Sequence, residues 1–336
     1  PTSAVMDYRL ERVGTDELRL DYGIDFNAPT ARGRFDRNRA VVGAYVNALQ
    51  SAGGSEAFAP IAVALVSISD DDTLGRAYDR LTPELVNGAG NETAGASLAF
   101  NDAMHSCRTR EGAYRFVRQD ECRWVRVQAG FRAQDDTARA AGYDINTFTL
   151  GGGVQREVAK DLHLGYGLSA STFDLGSDVA RTDGYQVEIG AIAKRRIDAT
   201  MLSGSLAAGF GWFDSRRFVS LPTPDVTAAS DQRTGYLSAH LRASHDVMSA
   251  PNSYLRPLLD LGIMRLRRSA FDETGAGAAN LSVEKAHDTL VTVHPALELG
   301  GEARLAQGWL ARPYLRVGAT RYLTDNTREL TATLEG

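Results

Sequence analysis

Residues 162–171, LHLGYGLSAS, alternate between two kinds of side chain. Leu162, Leu164, Tyr166, Leu168 and Ala170 fall on one face of an extended chain, and the residues between them are His, Gly and Ser. A period of two predicts a β-strand that separates two environments. Because the polar face is small and uncharged, we expect another part of the molecule to lie close against it.

The same alternation recurs along the chain from Arg123 onward. Nine stretches show it, at 125–132, 148–155, 162–171, 185–194, 202–212, 237–244, 255–263, 291–299 and 311–319, and a tenth begins at 328. Each has about 8–11 residues, the length that a tilted strand needs to cross a bilayer. Short connections alternate with longer ones, and two of the longer ones cover residues 214–234 and 267–289. This arrangement predicts a transmembrane antiparallel up-and-down β-barrel, a mainly β fold.

Charged residues distinguish the two faces of these strands. The apolar face has essentially no ionised side chain at the strand centres, as a lipid-facing surface requires, since Lys or Arg at mid-bilayer costs about 2–4 kcal/mol. The opposite face supplies the candidate lumen-lining residues, which are Arg126, Glu188, Lys194, His240, Arg242, Arg256, Asp260, His294, Glu298, Arg312 and Arg316. Either these side chains pair across the lumen or hold a segment inside it, or they are simply solvated.

Aromatic residues near the strand ends give mixed evidence for an interfacial belt. Outward parity is found for Tyr185, Trp212 and Trp309. Inward parity is found for Trp124, Tyr236 and Tyr254. The alternation does not explain why these three aromatic residues point inward.

The first 121 residues have a different pattern of apolar and polar positions. Residues 1–28 hold two alternating stretches on either side of a Gly-Thr-Asp turn, which predicts a pair of strands. The period then becomes helical, with Asp71 and Asp72 as candidate helix caps. Residues 83–106 predict one long helix rich in Ala, Gly, Ser, Thr and Asn. Its apolar residues form no continuous stripe, which suits a helix enclosed by a narrow polar tube; a partly disordered linker is the alternative.

Composition and charge narrow the possible functions. The chain has 336 residues and a formal net charge of −5, so we expect no nucleic-acid partner. No apolar run approaches the roughly 18–20 residues of a membrane helix. The first residues carry no secretory signal, which predicts an intracellular protein or a piece of a longer one. Cys107 and Cys122 enclose 14 residues that look like a polar loop, which favours a disulfide over two free thiols.

The order of these parts resembles the C-terminal translocator unit of an autotransporter, the type V secretion system of Gram-negative bacteria. The resemblance rests on that order and on DRLTPEL (79–85), YLRPLLDLG (254–262) and ARPYLRVGA (311–319). It implies that residues 1–28 end a β-helical passenger and that residues 29–121 form a helical linker, with a pore helix at about 83–106. Residues 122–336 are then the barrel.

The resemblance carries further expectations. Family members have twelve strands and end on an aromatic residue, usually Phe, that the outer-membrane assembly machinery recognises. The chain stops at LTATLEG, which implies a barrel truncated in its tenth strand. Members that release their passenger cleave at an Asn-Asn pair in the luminal helix, and residues 83–106 contain no such pair. The implied partners are outer-membrane lipid, the chain's own upstream passenger, the assembly machinery and periplasmic chaperones. We expect a monomer.

No catalytic site, cofactor or metal ion is expected. His163, His240 and His294 share the inward parity with Asp260 and several Ser, but no G-x-S-x-G motif accompanies them. The glycines at 151–153 lie in a strand pattern and do not open a helix, unlike a phosphate loop. The predicted function is export and anchoring of an N-terminal passenger at the bacterial cell surface. A porin-like or ligand-binding barrel with a separate periplasmic helical domain is the alternative.

Overall fold

The computed structural model describes residues 3–83, 88–105, 107, 121–135, 142–221, 225–250, 253–305, 308–324 and 330–334. Within these residues the helices are α1 (Ala28–Ala31), α2 (Arg37–Ser51), α3 (Ala59–Val66), α4 (Asp71–Asp79) and α5 (Gly88–Met104), with a 3₁₀ turn at Gly277–Ala279. None of the helices in this part of the chain is both long and apolar enough to span a membrane.

The strands follow the alternating pattern of the sequence. In chain order they are β1 (Met6–Val13), β2 (Glu17–Ile24), β3 (Cys122–Gln134), β4 (Tyr143–Ala159), β5 (Leu162–Gly176), β6 (Ala180–Ile197), β7 (Thr200–Val219), β8 (Val226–His245), β9 (Met248–Ala250), β10 (Ser253–Arg268), β11 (Phe271–Asp272), β12 (Leu281–Val283), β13 (Ala286–Gly301), β14 (Ala303–Arg304), β15 (Leu310–Ala311), β16 (Tyr314–Gly318), β17 (Arg321–Tyr322) and β18 (Ala332–Leu334).

The N-terminal residues form a hairpin followed by a small helical unit. β1 and β2 pair antiparallel across the predicted turn, and the linker helices follow in the predicted order. The side chain of Asp70 caps α4 by accepting a hydrogen bond from the Thr73 backbone N–H at 2.8 Å. The predicted caps Asp71 and Asp72 were wrong, because Asp70 has the extended backbone of an N-cap and the next two residues already form the first helical turn.

One large antiparallel sheet contains most of the remaining chain. Its order is β16-β13-β10-β8-β7-β6-β5-β4-β3 among the described residues, with β9 added beside β10 and β17 beside β13. Two-residue turns join β4 to β5 and β6 to β7, where Asp161 and Asp198 have φ values of 60° and 50°. Asp tolerates this left-handed backbone better than most residues do. We call this edge the short-turn end and the opposite edge the distal end.

The alternation of the sequence is also the alternation of exposure. On β5, Leu168 is 64% exposed and Ser169 only 4%; on β7, Leu206 is 62% exposed and Ser205 only 3%. Large apolar side chains therefore cover the outside of the sheet, and small or polar side chains lie inside. A soluble β-protein would have the opposite arrangement.

Several strands continue beyond the predicted membrane segment. The sequence predicted a long loop over 214–234, whereas β7 runs to Val219 and β8 starts at Val226. In this extension the two faces exchange character, since Phe213 and Val219 are buried inside and Asp214 and Arg216 are exposed outside. Water replaces lipid around the distal end, so the period of two persists with inverted polarity.

The helical unit packs against the distal end of the sheet. Its core contains Leu65, Leu74 and Tyr78 and is continuous with Val219 of β7 and Leu281 of β12. This contact places the linker beside the distal loops rather than at the short-turn end.

The predicted tenth strand has a different place in the structure. Its described part, Ala332–Leu334, pairs with β12 in a three-stranded sheet of β11, β12 and β18. The hydroxyl of Tyr45 on α2 donates to the Leu334 carbonyl, and the Leu334 side chain is buried in the linker core. Burial of Leu334 against the linker accounts for this pairing.

Candidate functional site on the inner face of the sheet

Helix α5 lies against the inner faces of strands from both halves of the large sheet. It contacts β5, β6, β7, β8 and β10. Small side chains allow this close approach: a Cβ at Gly190 would lie 2.9 Å from Phe100 of α5, and one at Gly167 would lie 2.7 Å from the Met104 sulfur. The small polar face of LHLGYGLSAS therefore lies against α5.

Polar side chains of α5 hydrogen-bond to inward side chains of the sheet. Thr93 shares a hydrogen bond of 2.8 Å with Thr234 of β8. The hydroxyl of Ser205 on β7 donates to the Asn101 side-chain oxygen at 2.8 Å, and the Asn101 amide donates to Ser238 of β8 at 3.2 Å. All five residues are buried, so each bond forms where water competes little.

A second set of contacts is ionic and centres on Asp102 near the end of α5. The Asp102 carboxylate lies 3.8 Å from Arg126 of β3, 3.6 Å from Arg242 of β8 and 3.8 Å from Arg316 of β16. β3 and β16 are the two ends of the strand order, so the sheet curls around the helix far enough for both ends to reach one carboxylate. Arg126 also donates to the Ala99 carbonyl at 3.3 Å.

The other half of α5 has one ion pair with the sheet. Glu92 accepts a hydrogen bond from Arg132 at 2.9 Å, near the distal end of β3. The two carboxylates of the helix are thus both matched to arginines from the strands.

Two of the three arginines around Asp102 are also held by carboxylates of neighbouring strands. Arg242 pairs with Asp260 through contacts of 2.6 and 2.8 Å. Glu298 is fully buried and accepts from Arg316 at 2.6 Å and from Tyr254 at 2.8 Å. These pairings fix the guanidinium groups, which lowers the entropy cost of their contact with the helix.

Further candidate residues belong to the same network. Arg256 lies 2.8 Å from Asp246 and 3.7 Å from Glu298. Glu188 is buried and accepts hydrogen bonds from Ser169, Gln186 and Tyr236.

The remaining predicted residues are spread along the inner face and its edge. Lys194 is buried on β6, directly opposite Ser203 of β7. His240 lies beside a cavity of about 130 Å³ between α5 and β10. His294 shares a hydrogen bond of 2.8 Å with the Thr320 hydroxyl. Arg312 lies between β15 and β16 and pairs with Glu302 at 3.0 Å, away from the Asp102 contacts.

Sequence reasoning missed Asp102, the residue on which three arginines converge. A signal was available, because the described helix contains only two carboxylates, Glu92 and Asp102, among small residues. A carboxylate in a helix of small residues, opposite strands whose inward face is rich in arginine, predicts an ion pair between the helix and the strands.

The cysteines connect the helix region to the sheet. A disulfide joins Cys107, just after α5, to Cys122, the first residue of β3. It closes the chain between the inner helix and the wall of the sheet. Among the described residues, no group of three or more His, Cys, Asp or Glu side chains is placed to hold a metal ion.

A family model, the autotransporter beta-domain, matches residues 123–336. The chain belongs to the autotransporter family. It is an outer-membrane translocator domain, and members of the family expose a passenger at the cell surface. In this autotransporter the strands of the large sheet are the part that crosses the outer membrane.

The fold is similar to that of a solved translocator domain. The translocator domain of autotransporter NalP from Neisseria meningitidis has 15% sequence identity and a TM-score of 0.59, over 74% of this chain and 81% of that one. The beta domain of the Bordetella autotransporter BrkA has 20% identity and a TM-score of 0.44, over 61% and 81% of the two chains. No curated protein sequence matches this autotransporter significantly.

Proposed function

We propose that this translocator exports its N-terminal passenger through the barrel to the cell surface and then keeps α5 in the lumen, where the helix closes the pore and anchors the passenger. The observation that carries this proposal is the position of α5. Its hydrogen bonds and ion pairs connect it to strands at both ends of the large sheet.

The N-terminal hairpin supports an upstream passenger. Tyr8 pairs with Tyr22 and Leu10 with Leu20 across β1 and β2, and all four side chains are more than half exposed. A two-stranded hairpin with an open apolar face is marginally stable by itself. Further strands stacked on this face, as at the end of a β-helical passenger, would cover it.

Protease access on intact cells tests export. The full-length protein, expressed in a Gram-negative host, should lose the sequence before Gly88 to added protease while the barrel remains as a heat-modifiable membrane band. Protection of the N-terminal part until the cells are lysed would contradict export.

Conductance tests the role of the helix and separates it from a porin-like barrel. The intact protein in a planar bilayer should pass little current, and deletion of residues 88–104 should open a stable pore. An intact protein that conducts as well as the deletion variant would favour the open porin.

We assign the domain no enzymatic activity, and we expect it to act as a monomer that needs the assembly machinery for insertion.

A further inference from the structure

The outer, lipid-facing side of the sheet has a groove at the short-turn end, across β5 to β10. Its volume is about 430 Å³, and its floor consists of Ala193 on β6, Gly204 on β7 and Ala243 on β8. Ala193 lies directly opposite Gly204 in the β6–β7 register. The leucines beside this floor are Leu162, Leu202, Leu241, Leu259 and Leu261. Large side chains around small ones leave an apolar channel in a surface that faces hydrocarbon.

One cation lies at the rim of this groove. Arg195 follows Lys194 on β6, points outward, is exposed, and stands between Leu162 and Leu202 in the strand register. In the described part of the chain its side chain has no hydrogen bond or ion pair, whereas that of its neighbour Arg196 lies 3.4 Å from Asp246.

The position of Arg195 along the strand fits a lipid headgroup. It is two residues from the end of β6, at the short-turn end, which faces the periplasm in outer-membrane barrels. An outward arginine costs about 0–1 kcal/mol near the membrane interface, against about 2–4 kcal/mol at the midplane. A guanidinium in this place has its apolar stem over the groove and its charge at the level of lipid phosphates.

We propose that this groove binds one anionic phospholipid, with an acyl chain over Ala193, Gly204 and Ala243 and its phosphate on the Arg195 guanidinium. Guanidinium groups bind phosphate through paired N–H donors, which provides headgroup selectivity that an apolar surface lacks. The site requires only that the sheet faces a bilayer, and it is independent of passenger export.

Lipid retention by the full chain tests the site. The protein is extracted in mild detergent, stripped of lipid, incubated with palmitoyl-oleoyl phosphatidylglycerol or phosphatidylethanolamine, and examined by native mass spectrometry. We expect one retained phosphatidylglycerol per chain, with about tenfold preference over phosphatidylethanolamine. Arg195→Gln should abolish the preference, and Arg216→Gln, which removes the same charge from the distal end of the outer face, should leave it unchanged.

A second pair of variants tests the groove itself. A Cβ at Gly204 meets only the flexible end of Leu241 closely, at 3.2 Å, so Gly204→Leu should fold and fill the floor. It should reduce retention of both lipids at least fivefold, while Ala170→Leu, an outward change on β5 away from the groove, should not. Equal retention of the two lipids by the unaltered protein, an unchanged preference in Arg195→Gln, or a dimer that Gly204→Leu dissociates would overturn the proposal.

Discussion

Replacing Asp102 with Asn should weaken the attachment of α5 to the barrel without changing the size of the side chain. The substitution removes the one carboxylate that faces arginines from β3, β8 and β16. Two of those arginines keep a carboxylate partner on the strands, since Arg242 retains Asp260 and Arg316 retains Glu298. The variant barrel should therefore fold, and the effect should concentrate on the helix.

The expected magnitude follows from the distances and the exposure. Two unit charges about 4 Å apart attract by about 4 kcal/mol at the effective dielectric constant of a protein surface. Asp102 is 52% exposed, however, and its three contacts are 3.6–3.8 Å long, so solvent screening reduces each one. Exposed ion pairs contribute up to about 1 kcal/mol each. Three such contacts, which are not fully additive, give about 2 kcal/mol, or about a 30-fold increase in the population with the helix displaced.

Single-channel recording measures this population directly. Asp102→Asn should spend about 30-fold more time in the conducting state than the unaltered protein at 0.1 M KCl, and the difference should shrink at 1 M KCl, where the screening length falls to about 3 Å. Glu92→Gln is the matched control, because it removes a single contact with Arg132, which is 63% exposed, and should raise the open time only about fivefold or less. An open time for Asp102→Asn within twofold of the unaltered protein, or a larger effect for Glu92→Gln, would refute the role of Asp102.

Three further predictions concern the helix connection and the distal unit. Replacing Cys107 and Cys122 with Ser should lower the free energy of unfolding by about 3 kcal/mol, because the bond closes a loop of about 15 residues, and reduction of the unaltered protein should have the same effect in denaturant melts. Burial and the nearby charge of Asp25 raise the pKa of Tyr78 in the folded protein. The stability that neutral Tyr78 contributes is therefore complete below the pKa of an unfolded tyrosine, near 10, and is lost as the pH rises above that value. Tyr78→Phe should reduce this alkaline loss of stability in thermal melts. Arg217 and Glu273 form a fully buried ion pair at the distal end, so Arg217→Met should cost about 3–5 kcal/mol and expose the linker helices to hydrogen exchange, whereas unchanged protection would contradict this.

The sequence by itself determined the strands and the character of their faces. A period of two needs no tertiary information, because successive side chains of any extended chain point to opposite sides. The absence of charge from one face of 162–171, 185–194 and 202–212 was enough to predict which side meets lipid, since no folded arrangement makes an unpaired charge inexpensive in hydrocarbon. Local chemistry also indicated the hairpin of β1 and β2 and the thin helix.

Only the tertiary structure decided which inward residues meet. Tyr236 and Tyr254 had inward parity without a reason in the sequence; their hydroxyls donate to the buried Glu188 and Glu298. The partner of a side chain depends on register between distant strands and on the depth of a helix within the sheet, and neither leaves a local pattern.

The same limit applies to the ends of the strands and to the distal unit. The alternation in 214–234 continues with inverted polarity. Tertiary packing explains why the inner side is apolar there: Val219 packs against the linker core, and Phe213 just before it packs against Phe173. Asp102 shows the physical reason most directly: it faces Arg126 and Arg316, which belong to opposite ends of the strand order, and only the curl of the sheet around α5 brings these charges to one point.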